Sequence, residues 1–461
     1  MNTHTLWSLR LGYSAKQSET IKQIGLEKFL EQSFASKFDA KIPEFIDNSP
    51  KSLKEYKELR RKMKSPNPKE MDEIIKKKVQ TSAEMKGWWI TKMMEEEFPL
   101  REKMTCFWHN HFVSTIQKVK INYWVFHHNQ ILRENAFGNF KTLTKKIVQS
   151  NAMVRYLDNV DNKKDKLNEN LSRELLELFT LGIGNYSEQD IKNGAKGLAG
   201  LGLGEENAIY RKIFEDNEPF VYLGKKGNFK VNEMIDIIFE QPKIPYLITR
   251  KILKWFIYDN PTEELVHYYG NYFKEKDFEI EPLLTKIFTE EYAKNNAGSK
   301  IKNPLEYSLQ IINELNIFNL NTKLIANFLK EQGMDLFNQP NVKGWDGGNS
   351  WLTSQVYLLR NNIADMLCNG KNLYPSKKDD TKSMMKPKQK VNVKLIWNKE
   401  ANNKEIIAEL TDRLLFTIDK DRQSDFEQIL KYDFDSKTEG SENAVIRLFN
   451  FMVKTPEYQL I

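Results

Sequence analysis

The clearest structural signal in this chain is one polar-studded stretch, Asn168-Glu169-Asn170-Leu171-Ser172-Arg173-Glu174-Leu175-Leu176-Glu177-Leu178-Phe179-Thr180-Leu181-Gly182. At about 100° per residue, its apolar side chains fall on one face of an α-helix: Leu171, Leu175, Leu178 and Phe179. Asn170, Glu174 and Glu177 form a polar stripe beside that face, and Gly182 suits a left-handed helix cap. The stretch therefore predicts an amphipathic helix with polar groups along one edge.

Helical spacing recurs along almost the whole chain. Apolar residues repeat at intervals of three and four in windows that run from residues 17–36 to residues 443–455. Sustained alternation, which is typical of strands, is scarce and is found only in residues 209–223. We predict an all-α protein: a mainly helical multi-helix body with at most one short β-hairpin near residues 209–223.

The chain has 461 residues. Because single cores stop growing beyond roughly 250–300 residues, two lobes are expected. We predict a main helical body over residues 1–369, a lysine-rich flexible linker over 370–395 and a C-terminal helical segment over 396–461. This segment is expected to pack on the body through four apolar side chains, Leu448, Phe449, Phe451 and Met452.

Charge and motif content exclude several classes of protein. The net charge of +7 comes from 70 basic and 63 acidic residues, which predicts a mixed surface and no nucleic-acid partner. Cys106 and Cys368 are too few for a disulfide scaffold or a CxxC metal site. P-loop, GxGxxG, GxSxG and HExxH motifs are absent. Without a long apolar run or a signal-peptide pattern, the sequence predicts no membrane span and a cytoplasmic location, while export of the native form stays open.

Glu174 and Glu177 are the candidate catalytic carboxylates. Glu174 borders the leucine face, and a partly buried carboxylate without a partner has a raised pKa, which suits general acid or base chemistry. The alternative is a surface stripe held by the pairs Glu169–Arg173 and Arg173–Glu177 at helical spacing.

Trp108-His109-Asn110-His111-Phe112 contains the second candidate group. On a helix, His111 points to the apolar face and His109 points away, so the two cannot bind one metal together. His111 is either a catalytic base or ligand, or a hydrogen-bonded core residue. The cofactor is unknown: a divalent metal is possible, but no standard motif supports it.

Two loops carry further candidates. Asp158 and Asn159 lie in Tyr156–Asn162, which leads into the Glu169 helix and reads either as a capped turn or as part of the same pocket. Trp345 lies in Gln339–Trp351, a turn segment whose tryptophans could stack on a sugar ring or fill the core.

Six ordered motifs resemble the bacterial domain-of-unknown-function family numbered 1800. They are Arg10-Leu11-Gly12-Tyr13, Leu100–Phe112, Leu132–Phe140, Tyr156–Asn159, Asn168–Leu175 and Pro340–Trp345. The resemblance implies a mostly helical protein without an assigned reaction, with relatives that are exported and encoded beside a sulfatase-like companion. Asn135, Phe179 and Glu215 depart from the family pattern, where histidine is frequent, and this weakens a histidine–metal site.

Two functions follow from these patterns. The first is an enzyme acting on a carbohydrate or envelope polymer, with His111, Glu174 and Glu177 as catalytic residues. The residues predicted to bind its substrate are Asn110, Arg133, Asp158, Asn159, Asn170, Arg173 and Trp345. The second is a non-catalytic helical adaptor or binding protein for the sulfatase-like companion, in which the polar cluster is a structural network.

Overall fold

Helices dominate the fold, as the periodicity predicts. The computed structural model describes residues 1–64, 67–294, 296–317, 321–370 and 391–461. These ranges contain twenty-two α-helices and two short antiparallel sheets of two strands each. The prediction of an all-α, mainly helical protein is confirmed. In the same ranges, no helix has both the length and the apolar character that a membrane crossing needs.

The N-terminal part consists of ten helices. They are α1 (Thr3–Leu11), α2 (Ser18–Ile24), α3 (Leu26–Ala35), α4 (Leu53–Lys62), α5 (Pro68–Glu95), α6 (Leu100–His111), α7 (Ile116–Val119), α8 (Asn122–Glu134), α9 (Phe140–Val148) and α10 (Asn151–Tyr156). Local sequence fixes several of their starts: Ser52 and Glu55 form a capping box for α4, and Pro68 occupies the first turn of α5. Trp7, Trp89 and Trp108 are fully buried and anchor the core of this part.

The central part holds the short strands and six helices. They are α11 (Asn170–Glu174), α12 (Glu188–Gly197), β1 (Leu201–Gly202), β2 (Ile209–Tyr210), β3 (Phe220–Tyr222), β4 (Lys225–Gly227), α13 (Val231–Phe239), α14 (Ile244–Phe256), α15 (Glu263–Glu275) and α16 (Ile280–Tyr292). A π-helix over Leu175–Thr180 continues α11.

The strand signal in residues 209–223 is divided between two sheets. β2 pairs with β1, which precedes it in the chain, whereas β3 pairs with β4, which follows it. Leu223 and Gly224 join β3 to β4, with φ of 47° and 86°. Two consecutive positive φ angles are typical of the tight type I′ hairpin turn, so β3 can fold back only on the residues that follow it.

The C-terminal part adds six helices. They are α17 (Pro304–Glu314), α18 (Thr322–Glu331), α19 (Ser354–Asn369), α20 (Asn403–Leu414), α21 (Lys420–Ile429) and α22 (Ser441–Met452). Helix α22 packs against α19, where Asn450 donates a hydrogen bond to Asp365 at 2.8 Å. Three of the four predicted contact residues, Leu448, Phe449 and Met452, are fully buried, while Phe451 is 36% exposed.

The predicted linker falls largely outside the described residues, since positions 371–390 are not among them. The three-part division of the chain therefore remains a prediction. The first described residues after that segment rejoin the helical body, where the Lys394 backbone N–H donates to the Leu315 carbonyl at 2.9 Å.

Candidate functional site

A cavity of about 230 Å³ lies where α6, α14 and the loop before α19 meet. Four aromatic side chains contribute to its wall: Phe107, Trp255, Trp345 and Trp351. Asn110 and His111 at the end of α6 also line it. We call this space the tryptophan cavity. It brings together three residues that the sequence proposed as separate candidates, namely Asn110, His111 and Trp345.

Asn110 fixes Trp345 in the wall. The Asn110 side-chain oxygen accepts the Trp345 backbone N–H at 2.7 Å. Gly344, directly before it, has a φ of 86°, and a Cβ atom there would clash with the carbonyl of Asn110. Only glycine adopts this conformation at so close an approach without strain. The loop is therefore docked on the end of α6, and Trp345 is 6% exposed.

His111 and Lys251 are hydrogen-bonded to each other in the lining of the cavity. His111 is buried, and its Nε2 lies 3.1 Å from the Phe179 carbonyl, so Nε2 carries the proton and donates it. His111 Nδ1 is then an acceptor, and Lys251 Nζ donates to it at 3.0 Å. Lys251 Nζ also donates to the Leu178 carbonyl at 3.1 Å. The His111 and Lys251 side chains are thus hydrogen-bonded to each other, and both donate to carbonyls of the π-helix over Leu175–Thr180.

Burial sets the protonation of both groups. It lowers the pKa of His111 well below its usual value, and the charge of Lys251 lowers that pKa further. His111 is therefore neutral. Burial also lowers the pKa of Lys251 to about 8, with no charged neighbour offsetting the effect. Lys251 is partly exposed as a residue, but its ammonium group is enclosed by the histidine ring and the helix end.

The carbonyls of Leu178 and Phe179 come from the π-helix. Its wider turn, with bonds from residue i to i+5, differs from the single α-helix expected here. The difference shifts the buried face: Leu176 is fully buried and Leu178 only partly, although the 100° construction placed Leu178 inward. The last carbonyls of a helix lack partners within it, and His111 and Lys251 supply them.

Glu174 and Glu177 lie on the same helical segment but outside the lining of the cavity. Both are partly buried. Burial raises the pKa of Glu174, the charge of Glu177 raises it further, and Arg173 and Lys343 oppose the shift. Lys343 also lines the tryptophan cavity, so its charge acts both on Glu174 and within the cavity. Glu177 accepts a hydrogen bond from the Tyr186 hydroxyl at 2.8 Å.

Arg173 and Asn170 occupy the outer side of this helix. Arg173 donates two bonds of 3.0 Å to Glu188 and one of 3.2 Å to Glu169. The expected pair Glu169–Arg173 is therefore present, whereas the other partner of Arg173 is Glu188 instead of Glu177. Asn170 is exposed, and its backbone N–H donates to the Asn168 side chain at 3.0 Å.

Arg133 forms a buried ion pair away from the cavity. Its Nε and Nη2 donate to the two oxygens of Glu102 at 2.7 and 2.9 Å. The Trp89 indole N–H also donates to Glu102, at 2.8 Å. This network ties α6 to α8 and α5, and Arg133 is not among the residues that line the cavity.

Asp158 and Asn159 lie in a turn at a third place. Asp158 has a φ of 55° and pairs with Lys118, with Nζ to Oδ2 at 2.8 Å. Asn159 is buried and donates to the carbonyls of Leu198 and Leu201 at 3.1 and 2.8 Å. These bonds fix the end of α12 and the start of β1, and neither residue lines the tryptophan cavity.

Four charged lining residues escaped the sequence analysis, and they are Lys251, Lys254, Asp259 and Lys300. Lys251 and Lys254 have the i, i+3 spacing of an ordinary solvated helix face. The one sequence feature that could have indicated them is Trp255, which follows Lys254 on an otherwise apolar helix. Nothing local indicates that α14 lies against α6.

The described residues hold no cluster of three or more His, Cys, Asp or Glu side chains suited to a metal ion. The other histidines in the core have backbone partners: His109 pairs with the Ser114 carbonyl at 2.9 Å, and His128 with the Phe112 carbonyl at 2.8 Å. Their ring nitrogens therefore serve the packing of α6 and α8.

A comparison with protein families gives one match. The family is described as "Protein of unknown function (DUF1800)", and its model matches residues 4–460. The chain belongs to this family, as its ordered motifs indicated. Comparisons with curated proteins and with solved structures found no match.

Proposed function

We propose that this protein is an enzyme that acts on a carbohydrate or envelope polymer at the tryptophan cavity. Lys251 and His111 are its acid–base pair, and Glu174 and Glu177 are carboxylates that act from the adjoining helix. The single observation that carries the proposal is the position of Lys251. Lys251 lines the cavity, and its amine is held by His111 Nδ1 at 3.0 Å and by the Leu178 carbonyl at 3.1 Å.

Lys251 has the properties of a proton-transfer group. With a pKa of about 8, the amine is present in both protonation states near neutral pH, as efficient general acid–base catalysis requires. Two of its three donor positions are used inside the protein. One donor position is left over, and we assign it to a ligand in the cavity.

The wall of the cavity suits a sugar ring. Trp345 and Trp351 are 6% and 5% exposed, and the part of each that stays accessible belongs to the cavity wall. Aromatic side chains pack against the apolar faces of pyranoses, while Asn110 and the charged side chains offer hydrogen-bonding partners. The volume of about 230 Å³ is below the range of roughly 300–1,000 Å³ typical of drug-sized ligands. This supports recognition of one ring of a chain whose remainder lies outside.

The other proposed site residues act at longer range. Glu174 couples to the cavity through Lys343, and its raised pKa suits a carboxylate that exchanges a proton. We assign Arg173 and Asn170 to positioning the Glu174 helix. Arg133, Asp158 and Asn159 position the surrounding elements through the bonds described above.

The test is a turnover screen of the purified full chain on peptidoglycan fragments and on acidic, sulfated and neutral polysaccharides. New reducing ends and product masses are the readout. We expect one class of polymer to be modified, and we expect Lys251→Met to lose that activity while the exposed Lys330→Met keeps it. Glu174→Gln serves as a second variant if Lys251→Met unfolds. Equal activity in Lys251→Met and the parent, or no modified polymer, would count against the enzyme and leave the adaptor for a sulfatase-like companion.

A further inference from the structure

We infer that the tryptophan cavity selects an anionic sugar, one that carries a carboxylate or a sulfate ester. The inference rests on the proposed function, because it takes the cavity as a carbohydrate site, and it adds the charge of the ligand. Four lysines, Lys251, Lys254, Lys300 and Lys343, line the cavity together with two aspartates, Asp259 and Asp346.

The charges around the cavity do not balance. Lys300 pairs with Glu306 in the core, with its Nζ 2.8 Å from Oε2, and Lys103 shares this carboxylate at 2.8 Å from Oε1. Among the other lining residues, three lysines stand against two aspartates, and Glu174, which lies outside the lining, interacts with the charge of Lys343. Asp259 uses one oxygen to accept the Ile301 backbone N–H at 2.9 Å, and burial raises the pKa of this carboxyl. The space therefore keeps an excess of positive charge, which favours an anion.

Lys254 and Lys343 are exposed side chains at the mouth of the cavity. Within the ranges that the structure describes, neither forms an ion pair with a carboxylate. Ammonium groups on flexible stems at a cavity rim can follow a charged substituent on a ligand without cost to the fold. They are the groups best placed to recognise an anion that enters from solvent.

Lys251 is the partly buried counterpart of these two residues. Its partners are a neutral imidazole and a carbonyl, and no described carboxylate contacts it. A buried ammonium group without a counter-charge is costly, which is why burial alone lowers its pKa. An anionic group on the ligand would provide the missing counter-charge for Lys251.

The aromatic wall narrows the chemical class. A free inorganic anion would gain nothing from Trp345 and Trp351, whereas a sugar ring stacks on such surfaces and carries its charged substituent to one side. The combination of lysines and tryptophans in one lining therefore fits a ring with an attached anion better than either part alone.

The experiment is calorimetric titration of the full chain with matched sugar pairs. Trigalacturonate is compared with its neutral methyl ester, a sulfated galactose oligosaccharide with its desulfated form, and inorganic sulfate alone is a third probe. We expect at least one acidic sugar to bind about tenfold more tightly than its neutral partner, with an affinity that falls as salt rises. The pair that shows this difference identifies carboxylate or sulfate as the recognised group.

Variants locate the effect. Lys254→Gln and Lys343→Gln should each weaken binding of the acidic sugar about two- to fivefold, as expected for partly solvated charges, whereas Lys330→Gln on the exposed face of α18 should not. Equal binding of acidic and neutral partners would overturn the inference, as would inorganic sulfate binding as tightly as the sugars. Binding of acidic sugars without turnover of any polymer would leave the inference standing and reject the enzyme. Turnover of neutral polymers alone would reject the inference and leave the enzyme standing.

Discussion

The side-chain oxygen of Asn110 accepts the backbone N–H of Trp345 at 2.7 Å, and this contact joins two segments 235 residues apart in the chain. The tryptophan cavity is therefore formed by packing between segments that are distant in the sequence. The end of α6 is a fixed platform, and the loop that carries Trp345 is held against it through one amide and one close glycine.

Loss of the Asn110 amide should open this wall. Asn110→Leu leaves the Trp345 N–H without its acceptor, and a lost buried hydrogen bond costs about 1–3 kcal/mol. We expect a lower free energy of unfolding together with a red shift of tryptophan fluorescence as the indole gains solvent. The matched control is Asn349→Leu, an exposed asparagine in the same loop, which should change neither signal. Unchanged fluorescence in Asn110→Leu would contradict the docking role.

Arg133 is predicted to be structural, since both charges of its pair with Glu102 are buried. Arg133→Met leaves Glu102 buried without its cation, which typically costs about 3–5 kcal/mol. The double variant Arg133→Met/Glu102→Gln should recover part of that loss, because the carboxylate is then gone as well. Urea unfolding of the two variants and the parent measures the coupling. A stable Arg133→Met protein with impaired sugar binding would instead favour the ligand role that the sequence suggested.

Acid should unfold the protein partly through its buried histidines. Burial lowers the pKa of His128 to about 3 and that of His109 to about 4. The unfolded chain binds these protons below about pH 6.5, so the stability contributed by the neutral rings is complete above that pH. It declines as the pH falls below about 6.5 and is fully lost once the pH has passed through about 4 for His109 and about 3 for His128. The slope is about 1.4 kcal/mol per pH unit for each histidine.

The check is the free energy of unfolding measured from pH 7 to pH 4. His128→Gln should flatten the pH dependence while lowering the stability at pH 7, because the Phe112 carbonyl and the Ser150 hydroxyl lose the original partner. The exposed His267→Gln should reproduce the parental slope. A parental slope in His128→Gln would show that other groups govern the acid transition.

The sequence predicted the helices well because apolar side chains at intervals of three and four report burial directly. Leu171, Leu175 and Phe179 are all buried, as that spacing requires. It could not predict the π-helix, since one added residue in a turn leaves no compositional mark. The exchange of Leu176 for Leu178 on the buried face is the consequence.

The sequence predicted the candidate site only at residues whose type alone suggests a chemical role. Asn110, His111 and Trp345 stood out as polar or aromatic groups in unusual settings, and the structure brings them to one cavity. Lys251 did not stand out, because a lysine on a helix is normally solvated and its partners lie 140 and 73 residues away. Arg133 stood out equally, yet nothing in the sequence indicates that Glu102, on another helix, neutralises it.

Glu174 provides the last prediction, which separates a catalytic carboxylate from a structural one. The described side chains give Glu174 no hydrogen-bond donor, whereas Glu177 three residues on has the Tyr186 hydroxyl. Burial and the charge of Glu177 both raise the pKa of Glu174, so the charged form is disfavoured in the folded state. Glu174→Gln removes that repulsion and should keep or slightly raise the melting temperature.

The same substitution should abolish turnover if Glu174 exchanges a proton during the reaction, because glutamine cannot do so. Thermal unfolding and the polymer assay on one preparation give both readings. Glu169→Gln is the matched control, since it lies on the same helix and should lose only its exposed pair with Arg173, for which about 0–1 kcal/mol is expected. A Glu174→Gln protein that melts many degrees below the parent would place Glu174 in a structural network and favour the adaptor over the enzyme.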